Sequence, residues 1–228
     1  MRFQDAALDA RAIVYQRIQA DPLVARAADL LADATPHERL LARAAMNGER
    51  TDPGPWRTMF PGLFAAAEPA ARDRAEAILE VSLEVAERGE QARSQYRGAI
   101  VEATTERLLA RRSTSVRRER RILFDGVPAE IHPYDVTVEA PDAAEAYDCK
   151  WGARGINGDV LHQLDAARDH AAGEGVRLAV SLVVFDALRS CLVRVARQTA
   201  PASETRLSSL ETLQELAAGP PRRRARPR

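Results

Sequence analysis

Through the first 90 residues, apolar side chains recur every three or four positions, which is the periodicity of amphipathic helices. Helix starts are marked by Asp21 and Thr35, each followed by proline, because such residues cap a helix and proline suits its first position. We predict three helices before residue 50, an aromatic-anchored loop over 51–61 and a further helix over 69–88. Residues 1–90 are therefore expected to be all-helical, either as a cap over apolar surface or as a module that selects a substrate or partner.

Beyond residue 90 the pattern mixes helical and strand periodicity. Between Asp135 and Lys150, apolar and polar residues alternate in two runs, which predicts two β-strands joined by a turn at Pro141 and Asp142. The other predicted elements are a helix over 89–112, a strand over 121–124, a helix over 157–172, a strand over 176–185 that is apolar on both faces, a helix over 186–199, a strand over 206–209 and a helix over 211–218. This order predicts an α/β fold with a central sheet.

The polar faces of the two alternating strands gather charged side chains. The first strand presents Asp135, and the second presents Asp148 and Lys150. Carboxylate oxygens are the ligands that Mg²⁺ prefers, and a lysine beside them can orient a water or stabilise charge on a phosphate. Lys150 is the only lysine among 33 basic residues, and a planar arginine fork does not replace a compact ammonium. These positions predict hydrolytic phosphate chemistry; the alternative is a chance lysine at a strand end.

Two predicted helices bring further polar side chains to the border of an apolar stripe. Glu102 has this position in the helix over 89–112, and Glu106 is its rival one turn later. Gln163 has the same position in the helix over 157–172. Side chains at such borders can reach a site where a helix meets the sheet, although most helical glutamates simply face solvent.

The basic residues are clustered. Formal net charge is zero, so a nucleic-acid surface must be local. Residues 111–121 hold six arginines, and we predict that this stretch binds phosphates; its alternative role is the solvated face of an edge strand. The predicted nucleic-acid-binding residues are Arg117, Arg118, Arg120 and Arg121. The tail over 220–228, with five arginines and three prolines, is predicted to be disordered and to add only diffuse attraction.

Composition bounds the protein class. An apolar content of 46% suffices for a sizeable core. Cys149 and Cys191 form neither a ligand spacing nor a disulfide framework, which fits a reducing compartment. The N-terminus lacks a signal-peptide pattern, and no apolar run reaches membrane-spanning length. A cytoplasmic protein without a membrane partner is expected.

Taken in order, Glu102, Asp135, the Asp148-x-Lys150 element and Gln163 resemble the PD-(D/E)XK nuclease superfamily, which has the restriction-endonuclease-like fold and includes RecB-like nucleases. The resemblance covers about residues 91–210. Two features depart from the superfamily pattern. Pro133 lies two residues before Asp135 instead of adjacent to it, and aspartate stands at 148 where glutamate is commoner.

The resemblance implies a restriction-endonuclease-like core in α-β-β-β-α-β order over 91–219, after the helical region 1–90 and before the tail 220–228. It implies Mg²⁺ or Mn²⁺ as cofactor and nucleic acid, with DNA favoured, as substrate, in defence or DNA processing. The implied metal ligands are Asp135, Asp148, Glu102 and the backbone carbonyl of Cys149. Lys150 would orient the attacking water or stabilise the transition state, and Gln163 would position the water or a phosphate oxygen. A partner protein on the N-terminal helices and a homodimer are further expectations. The alternative is a catalytically silent module that binds nucleic acid or partner proteins.

Overall fold

Strand pairing organises the chain into one mixed sheet. The computed structural model describes residues 1–7, 10–128, 133–140, 143–198, 203 and 205–219. In these ranges the strands are β1 (Arg2–Asp5), β2 (Val116–Phe124), β3 (Val127–Pro128), β4 (Tyr134–Val138), β5 (Ala143–Lys150), β6 (Arg177–Val184) and β7 (Arg206–Ser208). They lie in the order β1-β2-β4-β5-β6-β7, with β3 paired to β2. Pairs among β1 to β5 are antiparallel, whereas β5–β6 and β6–β7 are parallel.

The helices pack on this sheet and on one another. Those in the described ranges are α1 (Ala10–Gln19), α2 (Pro22–Asp33), α3 (Pro36–Asn47), α4 (Pro53–Met59), α5 (Pro61–Phe64), α6 (Pro69–Ala86), α7 (Glu90–Ala110), α8 (Gly158–Gly173), α9 (Leu188–Gln198) and α10 (Glu215–Ala218), with a 3-10 turn at Ala153–Gly155. The predicted mixed α/β architecture, a central mixed sheet flanked by helices, is confirmed. None of the helices just named is long and apolar enough to cross a bilayer.

The two faces of the sheet build two cores. Val136, Tyr147 and Val183 pack in a cluster with residues of α7, whereas Ala146 and Leu182 pack in a second cluster with residues of α8. Strand β6 contributes to both clusters, as expected for a run that is apolar on both faces. The central strands are therefore covered on both sides, and polar residues there require a specific partner.

The expectation of an all-helical region before residue 90 is wrong at Arg2–Asp5. This segment pairs antiparallel with β2, from Arg2 opposite Leu123 to Asp5 opposite Arg120. Four residues give too short a periodicity to be distinguished in the sequence, and the pairing partner lies more than 100 residues away. A division of the chain near residue 90 therefore does not hold for β1.

Two other local expectations need correction. The segment 51–61 contains helix α4 and the first residue of α5 instead of a loop. Pro53 and Pro61 occupy first helical positions, and Asp52 caps α4 by accepting from the Gly54 amide at 3.0 Å. Its aromatic anchors Trp56 and Phe60 are buried as expected. At the other end of the chain, α10 begins at Glu215, later than predicted.

The N-terminal helices share a core with the sheet. One continuous cluster contains Leu31 of α2, Ile78 of α6, Ile100 of α7 and Val183 of β6. Arg39 of α3 adds polar ties, because its buried guanidinium donates to the carbonyls of Leu31 at 3.1 Å and Leu210 at 3.2 Å. These contacts join the two parts of the chain.

We therefore predict one cooperative unfolding transition. Trp56 is buried in α4, and Trp151 stacks on Phe185 with ring centroids 5.1 Å apart, so the two tryptophans report on the helical and sheet regions. The single-tryptophan variants Trp56→Phe and Trp151→Phe should show thermal midpoints, measured by fluorescence, that coincide with the far-UV circular dichroism midpoint of the same variant. Two well-separated transitions within either variant would contradict this prediction.

Candidate active site

The register between β4 and β5 brings two carboxylates together. Val136 lies opposite Tyr147, so Asp135 and Asp148 flank this pair of residues on adjacent strands. Asp135 Oδ2 also accepts a hydrogen bond from the Cys149 amide at 2.5 Å. Neighbouring strands lie about 4.8 Å apart. The two acids predicted from the alternating pattern are therefore adjacent.

Lys150 completes this group. Its ammonium forms an ion pair with Asp148. Burial acts to lower the pKa of Lys150, but the nearby Asp148 and Asp135 carboxylates raise it, and the net change is upward. A side chain at Gly155 would lie 3.0 Å from Cδ of Lys150, so the glycine lets the 3-10 turn close on the lysine stem. The lysine is thus held as a cation beside both acids.

Cys149 turns away from these charges. Its thiol is buried in the core beside α7, with Sγ 3.6 Å from Oγ1 of Thr105. Burial raises the pKa of the thiol well above its ordinary value, and the side chain is part of the core. The role of its backbone carbonyl as a metal ligand stays a prediction.

Glu102 reaches the same region from α7. It is 5% exposed, and both carboxylate oxygens have donors from α1: Tyr15 Oη donates to Oε1, and Gln19 Nε2 donates to Oε2 at 2.8 Å. Burial raises the pKa of Glu102, whereas these hydrogen bonds act to lower it. Its rival Glu106 instead forms an ion pair with Arg118. Sequence patterns gave no signal for Tyr15 or Gln19, because both come from a helix more than 80 residues away.

Negative charge accumulates around Asp135. Burial raises the pKa of this carboxyl well above its ordinary value, and the charges of Glu102 and Asp148 raise it further; Lys150 and the Cys149 amide act in the opposite direction without cancelling the effect. The single positive charge of Lys150 therefore does not offset the negative charges of Glu102 and Asp148 near Asp135.

Glu119 is a further acid at this site that the sequence analysis did not select. It lies in β2 between Arg118, which is opposite Val136, and Arg120, which is opposite Tyr134, and its carboxylate accepts from Gln19 Nε2 at 3.2 Å. Its φ of 51° is unusual for a residue inside a strand. Burial and the charge of Glu102 raise its pKa. Its only sequence signal was a lone glutamate within the arginine-rich stretch.

Gln163 is the predicted site residue that comes from α8. Gln163 is partly buried on α8, and no hydrogen bond is seen between it and Glu102, Asp135, Asp148 or Lys150 in the described part of the chain. Its position at the site stays a prediction.

The predicted basic surface is partly neutralised by carboxylates. Arg118 pairs with Glu106, while Arg120 pairs with Glu139 at 2.7 Å and also with Asp5. Arg117 is exposed, and its guanidinium donates to the Val116 carbonyl at 2.8 Å; Arg121 is partly buried. Nucleic-acid binding by these four arginines stays a prediction, and the tail over 220–228 lies outside the described residues.

The donor chemistry of this group fits a hard divalent cation. Within the described ranges, no three or more His, Cys, Asp or Glu side chains are arranged as a metal-binding group. Mg²⁺, however, is usually held by one or two carboxylates together with waters and substrate phosphates. Asp135 and Asp148 provide such a pair. Burial raises the pKa of Asp135 most, and the repulsion from Glu102 and Asp148 that adds to it is what a cation would relieve.

Comparisons with known proteins add little to this geometry. No protein-family model and no curated protein matches the chain. Among solved structures, the chain is similar to the crystal structure of protein VC1899 from Vibrio cholerae, with a TM-score of 0.45 and 17% sequence identity, over 95% of this chain and 57% of that chain. The chain thus spans little more than half the length of that protein, and a likeness this weak supports no conclusion about function.

The crowding of acids predicts that removing one charge stabilises the protein in EDTA. Asp135→Asn keeps an oxygen to accept from the Cys149 amide but removes the repelled charge. Because the folded-state pKa of Asp135 is raised, its ionisation lowers stability increasingly as pH rises above the unfolded-state pKa of about 3.9. Asp135→Asn should therefore melt above wild type at pH 8, by about 2–4 °C for each kcal/mol relieved, and the difference should narrow towards pH 5.

Thermal denaturation, monitored by circular dichroism at pH 8 and at pH 5, measures the midpoint of each protein and the difference between them. The matched control is Asp73→Asn, which removes an exposed charge on α6 and should leave the midpoint unchanged. A midpoint for Asp135→Asn below wild type at pH 8 would show that the burial and repulsion of the Asp135 charge do not destabilise the fold.

Proposed function

We propose that the protein is a metal-dependent nuclease that hydrolyses phosphodiester bonds, with DNA as the favoured substrate, on a restriction-endonuclease-like core. The observation that carries the proposal is the proximity of Asp135 and Asp148, on adjacent strands, to each other and to the sole lysine, Lys150. The order of elements α7, β2, β4, β5, α8 and β6 supports it, because this is the α-β-β-β-α-β order that the resemblance implies.

Each residue type suits a specific task. Asp135 and Asp148, with Glu102 and the Cys149 carbonyl at their edge, would hold Mg²⁺ or Mn²⁺, which supplies a water of lowered pKa and offsets charge on the phosphate. Lys150 is a positive point charge that stabilises the charge developing on a phosphate oxygen. Gln163 is proposed to orient the water or a phosphate oxygen. Arg117 offers an exposed positive charge to the strand backbone.

A catalytically silent module that binds nucleic acid or partner proteins is the second candidate. The specific observation in its favour is that the acids already have protein partners: Lys150 pairs with Asp148, and Tyr15 and Gln19 donate to Glu102. A cation and a substrate must compete with these contacts. Action in defence or DNA processing, a homodimer and a partner protein on the N-terminal helices remain proposals of the same kind.

The direct test is incubation of the purified protein with linear, circular and single-stranded DNA and with RNA, each in Mg²⁺, Mn²⁺ or EDTA. We expect metal-dependent cleavage of at least one DNA substrate by the wild-type protein and none by Asp148→Asn. Binding without cleavage under every condition would favour the silent module. Cleavage that persists in EDTA would exclude the proposed chemistry.

Substitutions of Lys150 should affect the cleavage rate without affecting metal binding. Lys150→Ala should retain Mn²⁺ binding, measured by calorimetry, yet lose roughly 100-fold or more in cleavage rate, because it removes charge from the transition state. Lys150→Arg should recover only part of that loss, since the larger fork cannot occupy the space against Gly155.

The control Arg57→Ala removes one exposed positive charge on α4 and should cleave at the wild-type rate. Wild-type cleavage by Lys150→Ala would exclude a role for the lysine in the chemistry. Wild-type Mn²⁺ affinity in the double variant Asp135→Ala, Asp148→Ala would exclude the proposed ligands.

A further inference from the structure

A cavity of about 340 Å³ lies between the N-terminal strand–helix unit and β2. Its apolar lining residues are three alanines, Ala6, Ala7 and Ala12, together with Tyr15. Polar groups line the remainder, among them Gln16, Gln19 and Glu119. Its size is at the lower end of the range for small-molecule sites, which are mostly apolar with a few polar groups that fix orientation.

The cavity adjoins the acids of the candidate active site through two of its own lining residues. Gln19 Nε2 donates both to Glu102 Oε2 at 2.8 Å and to Glu119 Oε1 at 3.2 Å. Tyr15 also lines the cavity, and its hydroxyl donates to Glu102. A side chain at Gly98 would lie 3.0 Å from that hydroxyl, so the glycine gives the tyrosine room to approach. A ligand in the cavity would therefore lie beside the acids.

The lining chemistry does not suit a phosphate. Two acidic residues, Asp5 and Glu119, line the cavity beside Arg118; Asp5 pairs with Arg120 and Arg118 pairs with Glu106, so the lining has no excess of positive charge. A carboxylate and side-chain amides instead match the amino and ring-nitrogen groups on the edge of a nucleobase. Enzymes that hold a base outside the stack combine such hydrogen bonds with aromatic or apolar contacts, and Tyr15 and the alanines provide those contacts here.

We propose that this cavity receives an unpaired nucleobase of the strand whose phosphodiester lies at the acids. The inference rests on the proposed function and deepens it by naming the substrate class. A base inside a duplex is stacked and paired, and extracting it costs a few kcal/mol. The preferred substrates are therefore single-stranded, looped or frayed segments, and a continuous duplex is disfavoured.

The test compares two single-stranded DNA oligonucleotides of equal length and charge, one with all its bases and one abasic in its central half. Fluorescence anisotropy in EDTA measures binding without cleavage. Wild type should bind the complete strand at least about 5-fold more tightly than the abasic one, since each base held on an aromatic surface contributes on that scale.

Variants in and just after α1 test whether the cavity causes the preference for the complete strand over the abasic one. Ala12→Leu fills the cavity and should abolish the preference, so that both strands bind equally. The matched control Ala20→Leu adds the same atoms at an exposed position just after α1 that does not line the cavity, and should retain the preference. Gln16 is exposed, so Gln16→Leu tests the polar lining without risk to folding and should reduce the preference.

Several results would overturn the inference. They are equal binding of both strands by wild type, an undiminished preference in both Ala12→Leu and Gln16→Leu, or free mononucleotides binding as tightly as the strand. If wild type cleaves nucleic acid yet shows no base preference, only the cavity assignment fails. If it binds with the preference but never cleaves, the cavity assignment stands and the proposed hydrolysis fails. Binding to no nucleic acid at all would exclude both.

Discussion

The antiparallel register between β4 and β5 is the constraint on which the candidate site depends. Strand side chains alternate between faces, so a slip of one residue would turn Asp148 and Lys150 into the core and bring Cys149 to the polar side. The apolar neighbours prevent that slip, because Val136 and Tyr147 are buried against residues of α7. The packing of Val136 and Tyr147 in the core thus determines that Asp148 and Lys150 lie on the opposite side of β5.

The N-terminal segment belongs to the site as much as the sheet does. Burying Glu102 removes its carboxylate from water, and this is tolerable because Tyr15 and Gln19 donate to both of its oxygens. Those donors are held in place by α1, which follows the edge strand β1, and β1 in turn pairs with the strand that contains Glu119. Helix α1 therefore lies against Glu102, an acid more than 80 residues later in the sequence.

The periodicity of apolar residues was sufficient to locate elements whose pattern is long or strictly alternating. It located β4, β5 and the doubly buried β6, which contain or adjoin Asp135, Asp148 and Lys150. It failed where the deciding contact is distant along the chain: β1 is defined by its pairing with β2, and Tyr15 reaches Glu102 only after folding. It also failed at α4, where prolines at helix starts resemble the composition of a loop.

Glu119 has a consequence for sequence variation at its position. A left-handed backbone costs a residue with a side chain about 1–2 kcal/mol, whereas glycine adopts it freely. Selection for thermal stability alone would therefore favour glycine here, and selection for the carboxylate opposes it. Among natural variants of this chain, the residue at 119 would distinguish lineages that keep the acidic centre in use from lineages that retain only the scaffold.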